Sequence, residues 1–163
     1  MRTLRIVVSA LAVSACAEAE KAPPPPSKVV EWTASVESST PTSDGAVLDV
    51  ALIAQVEEGW KVYSLTQKGG GPVAMTVRID STSIYSLAGP VQGPKADYAM
   101  DPNFGIETET YAREAVFRVP VKVPAVIDPA VPIELKVRSQ ACSDRLCLPA
   151  KTTTITVNPP VGS

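Results

Sequence analysis

Residues 138–149, RSQACSDRLCLP, hold two of the three cysteines of the chain, Cys142 and Cys147. Before them, Ile133-Glu134-Leu135-Lys136-Val137-Arg138 alternates apolar and polar side chains at a period of two. After them, Lys151 to Val157 is rich in Thr, Ile and Val. Both patterns are those of strands, so the residues between form a hairpin connection. With Ser143-Asp144-Arg145-Leu146 as a four-residue loop, the two cysteines face each other across the ladder. Opposed residues have Cβ atoms about 4.5–5.5 Å apart and a disulfide asks for about 3.8 Å, so a small adjustment closes the bond. The spacing leaves open whether the pair only staples two strands or also exchanges.

The same period runs outward along the chain. Val30, Trp32, Ala34 and Val36 alternate, and Ser38 to Gly45 reads as a polar, turn-rich connection. Residues 46–56 form a longer strand with Leu48, Val50, Leu52, Ala54 and Val56 on one face, and Glu57-Glu58-Gly59 turns it into Trp60–Tyr63. Thr66 to Pro72 has three adjacent glycines but neither the phosphate-loop pattern nor a following helix, and reads as a flexible surface loop. Met75, Val77 and Ile79 mark another strand. In the strand Val116–Val123, Phe117, Val119, Val121 and Val123 face one way, and Pro120 predicts an edge position or a bulge. No window of ten or more residues beyond the leader has helical periodicity. About eight short strands with proline-rich connections predict an all-β antiparallel sandwich, with Trp32 and Trp60 as core aromatics.

The 163 residues suffice for one domain with a real core. Met1-Arg2-Thr3-Leu4-Arg5 followed by the apolar run Ile6–Val13 reads as an export leader, too short for a membrane span. It ends in Val13-Ser14-Ala15-Cys16, which resembles a bacterial lipobox. Residues 1–15 are then a lipoprotein-type signal peptide and Cys16 a lipidation site, with the outer membrane favoured because no Asp follows; ordinary cleavage nearby would instead leave a free periplasmic protein. Residues 16–28 carry Pro23–Pro26 and form a stiff tether of about 3.1 Å per residue. Residues 29–158 are the folded domain and 159–163 a short tail. Acylation of Cys16 would leave one cysteine pair, in a compartment that permits its disulfide. Without Arg2 and Arg5 the chain has 13 basic against 17 acidic side chains, so nucleic acid is not an expected partner.

Chemistry is narrowed by the absence of histidine. Ser-His-Asp and Cys-His catalysis and histidine metal sites are excluded, and no cofactor or resident metal is expected. A copper-handling protein using Met75 or Met100 with the cysteines is an alternative reading. Glu107 and Glu109 share a strand face and read as surface charge. The cysteine spacing differs from the two-residue spacing of a thioredoxin motif at a helix start, so no helix terminus lowers a thiolate pKa. The pair then acts either as a passive exchange partner, attacked by the thiolate of another protein, or as the structural staple of an envelope interaction module. Asp144 and Arg145 are candidate modulators, with Arg145 placed to stabilise a departing thiolate.

The run QACSDRLCLPAKTTTI resembles the cysteine hairpin of the N-terminal periplasmic domain of the DsbD thiol–disulfide interchange family. Gly59-Trp60-Lys61-Val62-Tyr63-Ser64, Gly71-Pro72, and Asp101-Pro102-Asn103-Phe104-Gly105 followed by Glu109-x-Tyr111 extend the similarity across 29–158. The resemblance implies an immunoglobulin-like sandwich that relays reducing equivalents through Cys142 and Cys147. It implies that Cys147 forms the mixed disulfide with a partner and that Cys142 resolves it. Residues 101–105 would be a cap loop, with Phe104 shielding the pair and Asp101 in an acidic group beside it. The sequence carries neither a membrane-helix domain nor a thioredoxin domain. Donor and acceptor are therefore expected in trans, as thioredoxin-like periplasmic proteins or a membrane electron-transfer protein.

Overall fold

The computed structural model describes residues 29–160. The leader, Cys16 and the proline tether lie outside the described residues. Eleven strands follow in chain order: β1 Val30–Thr42, β2 Gly45–Val56, β3 Lys61–Tyr63, β4 Thr76–Arg78, β5 Ser86–Leu87, β6 Asp97–Asp101, β7 Ile106–Tyr111, β8 Glu114–Pro124, β9 Ile133–Ser139, β10 Ala141–Cys142 and β11 Lys151–Val157. There is no helix among the described residues. All pairings between strands are antiparallel, in the orders β1-β2-β8-β5, β10-β3-β7-β6 and β11-β9-β4. This is the expected immunoglobulin-like β-sandwich.

The alternation read from the sequence is what builds its core. Leu48, Val50, Leu52 and Ala54 of β2 face inward beside Phe117, Val119 and Val121 of β8, all without solvent exposure. Ile133, Leu135 and Val137 of β9 and Val62 of β3 close the same cluster from the other sheets. Each such side chain contributes about 1.5–3 kcal/mol by leaving water. Trp60 is buried in this cluster, and Trp32 packs against it half-buried, tilted onto Phe117 at 6.2 Å.

Two sequence expectations change. Ser38–Thr42 is strand rather than connection: β1 runs to Thr42, with a register shift between Val36 and Ser38, and turns at residues 43–44 into β2. All five of these residues are exposed, so no burial pattern marks them in the sequence. β8 is an interior strand in spite of Pro120. The Pro120 carbonyl accepts from the Ala88 N–H at 2.8 Å. Its missing N–H faces the gap between β5, which ends at Leu87, and the isolated bridge Gln92–Arg118. An interior proline is tolerated where its neighbour strand is interrupted.

Candidate functional site

The sheet β10-β3-β7-β6 has two faces because successive residues of a strand point oppositely. Ala141, Val62 and Tyr111 point into the sandwich core. Cys142 lies opposite Lys61 in the β10–β3 register, and both project from the other face with Tyr63. Cys142 and Tyr63 have no exposed surface, yet neither belongs to the core cluster. Tyr63 is covered instead by the turn between β6 and β7, which also reaches the residue after Cys142.

The hairpin register explains why the cysteines meet. The Leu148 N–H donates to the Ala141 carbonyl at 2.9 Å, and the Ser143 N–H to the Leu146 carbonyl at 2.8 Å. Cys142 and Cys147 are thus the non-hydrogen-bonded pair between two bonded pairs, the position at which opposed strands approach most closely. Their Cα atoms are 4.1 Å apart and the sulfurs are bonded. Cys142 is fully buried, whereas Cys147 is partly exposed. Gln140 fixes the hairpin from below: its amide oxygen accepts from the Val73 N–H at 2.8 Å and its amide nitrogen donates to the Leu148 carbonyl at 3.2 Å.

Residues 101–105 form the covering turn. The Asp101 carbonyl accepts from the Gly105 N–H at 2.7 Å, and Gly105 has φ +66°, a conformation that a side chain would disfavour. The Asp101 carboxylate is fully buried. It accepts from the Tyr63 hydroxyl at 2.8 Å and the Asn103 N–H at 2.9 Å, and faces the Lys61 ammonium at 3.5 Å. Burial alone would raise this carboxyl, but the Tyr63 and Asn103 hydrogen bonds and the Lys61 charge outweigh it and hold it below its ordinary value. Burial first, and then the Asp101 carboxylate, push the Tyr63 phenol far upward.

The turn is latched to the hairpin by Asn103, whose amide donates to the Ser143 carbonyl at 2.7 Å. The Leu146 N–H, which would ordinarily close the hairpin turn on that carbonyl, bonds the Ser143 hydroxyl at 3.1 Å instead. Phe104 is half-buried and turns its ring edgewise toward Tyr63, with centroids 6.2 Å apart. A Cβ added at Gly71 would come within 2.8 Å of Ile106 and 3.5 Å of Phe104, so the glycine loop is where the cap packs closely. Pro102 is exposed. Asp144 is exposed and pairs with Lys61 at 3.2 Å, while the Arg145 N–H bonds the Ser143 hydroxyl at 3.3 Å.

Lys61, Tyr63 and Gln140 had no assigned role in the sequence, although all three lie in the stretches that carried the resemblance. Glu109 is a correction. It is buried rather than surface charge, and accepts from the Ser64 hydroxyl at 2.8 Å and from Thr66. These two hydrogen bonds lead the effects that hold its pKa down against burial. Gln67, also buried, accepts from the Glu109 N–H at 2.7 Å, so the start of the supposed flexible loop is anchored. Met75 is enclosed in the core and Met100 is exposed on β6. No group of three or more His, Cys, Asp or Glu side chains is placed to hold a metal among the described residues. No helix among them is long and apolar enough to cross a membrane.

The family model for the N-terminal region of the thiol:disulfide interchange protein DsbD matches residues 29–159. Among solved structures, the chain is similar to the reduced N-terminal domain of DsbD from Neisseria meningitidis, at 19% identity and TM-score 0.53 over 83% of this chain and 89% of that one. It is similar to the complex between the DsbD and PilB N-terminal domains from the same organism, at 18% identity and TM-score 0.54 over 83% and 88%. The N-terminal periplasmic domain of ScsB from Proteus mirabilis matches at 20% identity and TM-score 0.51 over 79% of this chain and 45% of that one. At these identities the structural likeness is one of fold. No curated protein matches the sequence.

Proposed function

The chain belongs to the DsbD N-terminal domain family, and on that premise we propose that it exchanges thiols and disulfides through Cys142–Cys147 with thioredoxin-like proteins acting in trans. The observation that carries this reading is the asymmetry of the pair: Cys147 is partly exposed, whereas Cys142 is fully buried, opposite Lys61 in the ladder. A partner thiolate attacks the Cys147 sulfur, a new disulfide forms, and the Cys142–Cys147 bond breaks with its electron pair on the Cys142 sulfur. A second partner thiolate then attacks its own sulfur in the mixed disulfide and releases the Cys147 thiolate. The partner leaves oxidised and this domain leaves with two reduced cysteines. In the reverse direction the dithiol is spent on an oxidised acceptor. Complex formation between the Neisseria DsbD and PilB N-terminal domains supports a protein partner of this kind.

The size of the ring argues against a purely structural bond. The cysteines are five residues apart in sequence, and so small a ring restricts the unfolded chain by only about 2 kcal/mol. The cap fits a gate, because its direct hydrogen bond to the hairpin turn, Asn103 to Ser143, is exposed and docking can break it. Export by the leader and acylation of Cys16 would hold the domain at the periplasmic side of a membrane. Mixing the oxidised domain with a reduced thioredoxin-like protein tests the exchange. Transfer of two electrons, with thiols appearing on Cys142 and Cys147, is expected. A disulfide that small thiols reduce but the thioredoxin-like protein leaves intact would point to the structural reading.

A further inference from the structure

We propose that Lys61 is a positioning residue for this exchange: its ammonium offsets the carboxylates around Cys142 and stabilises the thiolate that leaves when Cys147 is attacked. This rests on the exchange reading above. Lys61 is directly opposite Cys142 in the ladder, a relation that sets the two Cβ atoms about 4.5–5.5 Å apart on one face. The ammonium lies 3.5 Å from buried Asp101 and 3.2 Å from exposed Asp144, and only 18% of the Lys61 side chain is accessible. The lysine therefore spans the cap, the hairpin turn and the strand beneath the buried sulfur.

Its effect follows from the local charge. One ammonium stands against two carboxylates, and Tyr63 adds a neutral hydroxyl that bonds Asp101. Thr108 of β7 contributes another neutral hydroxyl, 3.5 Å from Asp101. Arg145 is the other cation of the hairpin turn and is unchanged in the variants below. A thiolate forming at Cys142 adds a negative charge to this group. With Lys61 present, the new thiolate forms near an ammonium that already faces Asp101 and Asp144; without it, both carboxylates lose that ammonium and the thiolate forms in a more negative setting. An opposite charge within about 4–6 Å moves a titration by about 1–3 units. A leaving thiol with a lower titration midpoint departs faster.

The test is a carbon NMR titration of labelled Cys142 Cβ in Cys147→Ala protein, where Cys142 is the one thiol of the hairpin. Lys61→Met should raise the Cys142 midpoint by about one unit or more, and Lys61→Arg should restore most of the shift. Asp144→Asn, at an exposed turn position that does not threaten folding, should move the midpoint down. In the two-cysteine protein, Lys61→Met should slow reduction by dithiothreitol about threefold for each unit of that rise. An unchanged midpoint in Lys61→Met, or a rise in Asp144→Asn, would overturn the assignment. The titration needs no partner protein. Failure of the domain to exchange with thioredoxin-like proteins would therefore sink the proposed function while leaving this result readable.

Discussion

The two faces of the sheet β10-β3-β7-β6 are made by neighbouring residues yet follow different rules. On one, Ala141, Val62 and Tyr111 join a continuous apolar core, with Tyr111 set edge-on to Phe117 at 5.2 Å. On the other, Lys61 and Tyr63 meet Asp101 of the covering turn through directed hydrogen bonds and charge, beside Cys142 in the ladder. The core face is stabilised by the summed removal of apolar surface from water, which does not depend on redox state or pH. The site face holds a buried carboxylate only while its partners stay in place, so its stability varies with protonation and with the disulfide. The contrast teaches that a rigid sandwich can carry a conditional site without compromising its own fold.

Buried charge is divided in a similar way. Asp101 faces an ammonium that also reaches the hairpin, whereas Glu109 is held mainly by the Ser64 and Thr66 hydroxyls. Both carboxyls are held below their ordinary values. Only Asp101 lies in the turn that latches onto the cysteine hairpin; Glu109 anchors the loop after β3.

The sharpest way to separate the two faces is to damage the core alone. Phe117→Ala should lower unfolding free energy by about 3–5 kcal/mol in urea denaturation. The loss should be equal in oxidised and reduced protein, and the rate of reduction by dithiothreitol should be unaltered in the folded variant. A redox-dependent loss would mean that the faces are coupled through the sheet.

Asp101→Asn attacks the site face and should cost about 1.5–3 kcal/mol at neutral pH through weakened charged hydrogen bonds. Its acid dependence carries a definite sign. The folded-state pKa of Asp101 is depressed, so its contribution is present above the unfolded value of about 3.9 and is lost as pH falls through the lower folded value. Stability measured from neutral pH downward should therefore fall less steeply in Asp101→Asn than in the parent protein. Parallel curves would contradict the role given to this carboxylate.

Reduction of the disulfide should have the next largest effect, about 2 kcal/mol, as expected of so short a ring. A much larger loss, with collapse of the sandwich, would move the pair to the structural side. The smallest change is expected from Asn103→Ala. Removing the amide that holds the Ser143 carbonyl at 2.7 Å should weaken the latch by about 1 kcal/mol, equivalent to roughly fivefold faster reduction by a small thiol. Unchanged kinetics would indicate that the turn does not gate access.

What was legible in the sequence was whatever repeats every second residue or lies within one hairpin. The core faces of β2 and β8 and the cysteine pair belong to that class. The site required contacts across long separations: Lys61 with Asp101 and Asp144, Tyr63 with Asp101, and Asn103 with Ser143. No local pattern announces these; strand reading placed Trp60–Tyr63, and only the resemblance tied it and the 101–105 stretch to the cysteines. Glu109 escaped because the alternation of Ile106-Glu107-Thr108-Glu109 looks solvated, while its hydroxyl partners, Ser64 and Thr66, come from the loop after β3. The direction of Phe104, toward Tyr63 and Gly71, depends on a turn conformation that composition does not specify.

The central claim is that Cys147 is the sulfur a partner attacks and Cys142 the one that leaves. It is tested most directly with two single-cysteine proteins, Cys142→Ala and Cys147→Ala, and a thioredoxin-like protein whose attacking cysteine carries an aromatic thiol as a mixed disulfide. The remaining cysteine attacks the partner sulfur, the aromatic thiol departs with its colour, and a covalent complex forms. The account predicts rapid formation of that complex through Cys147 in Cys142→Ala, and much slower formation through buried Cys142 in Cys147→Ala. Equal rates, or no complex through Cys147, would contradict it.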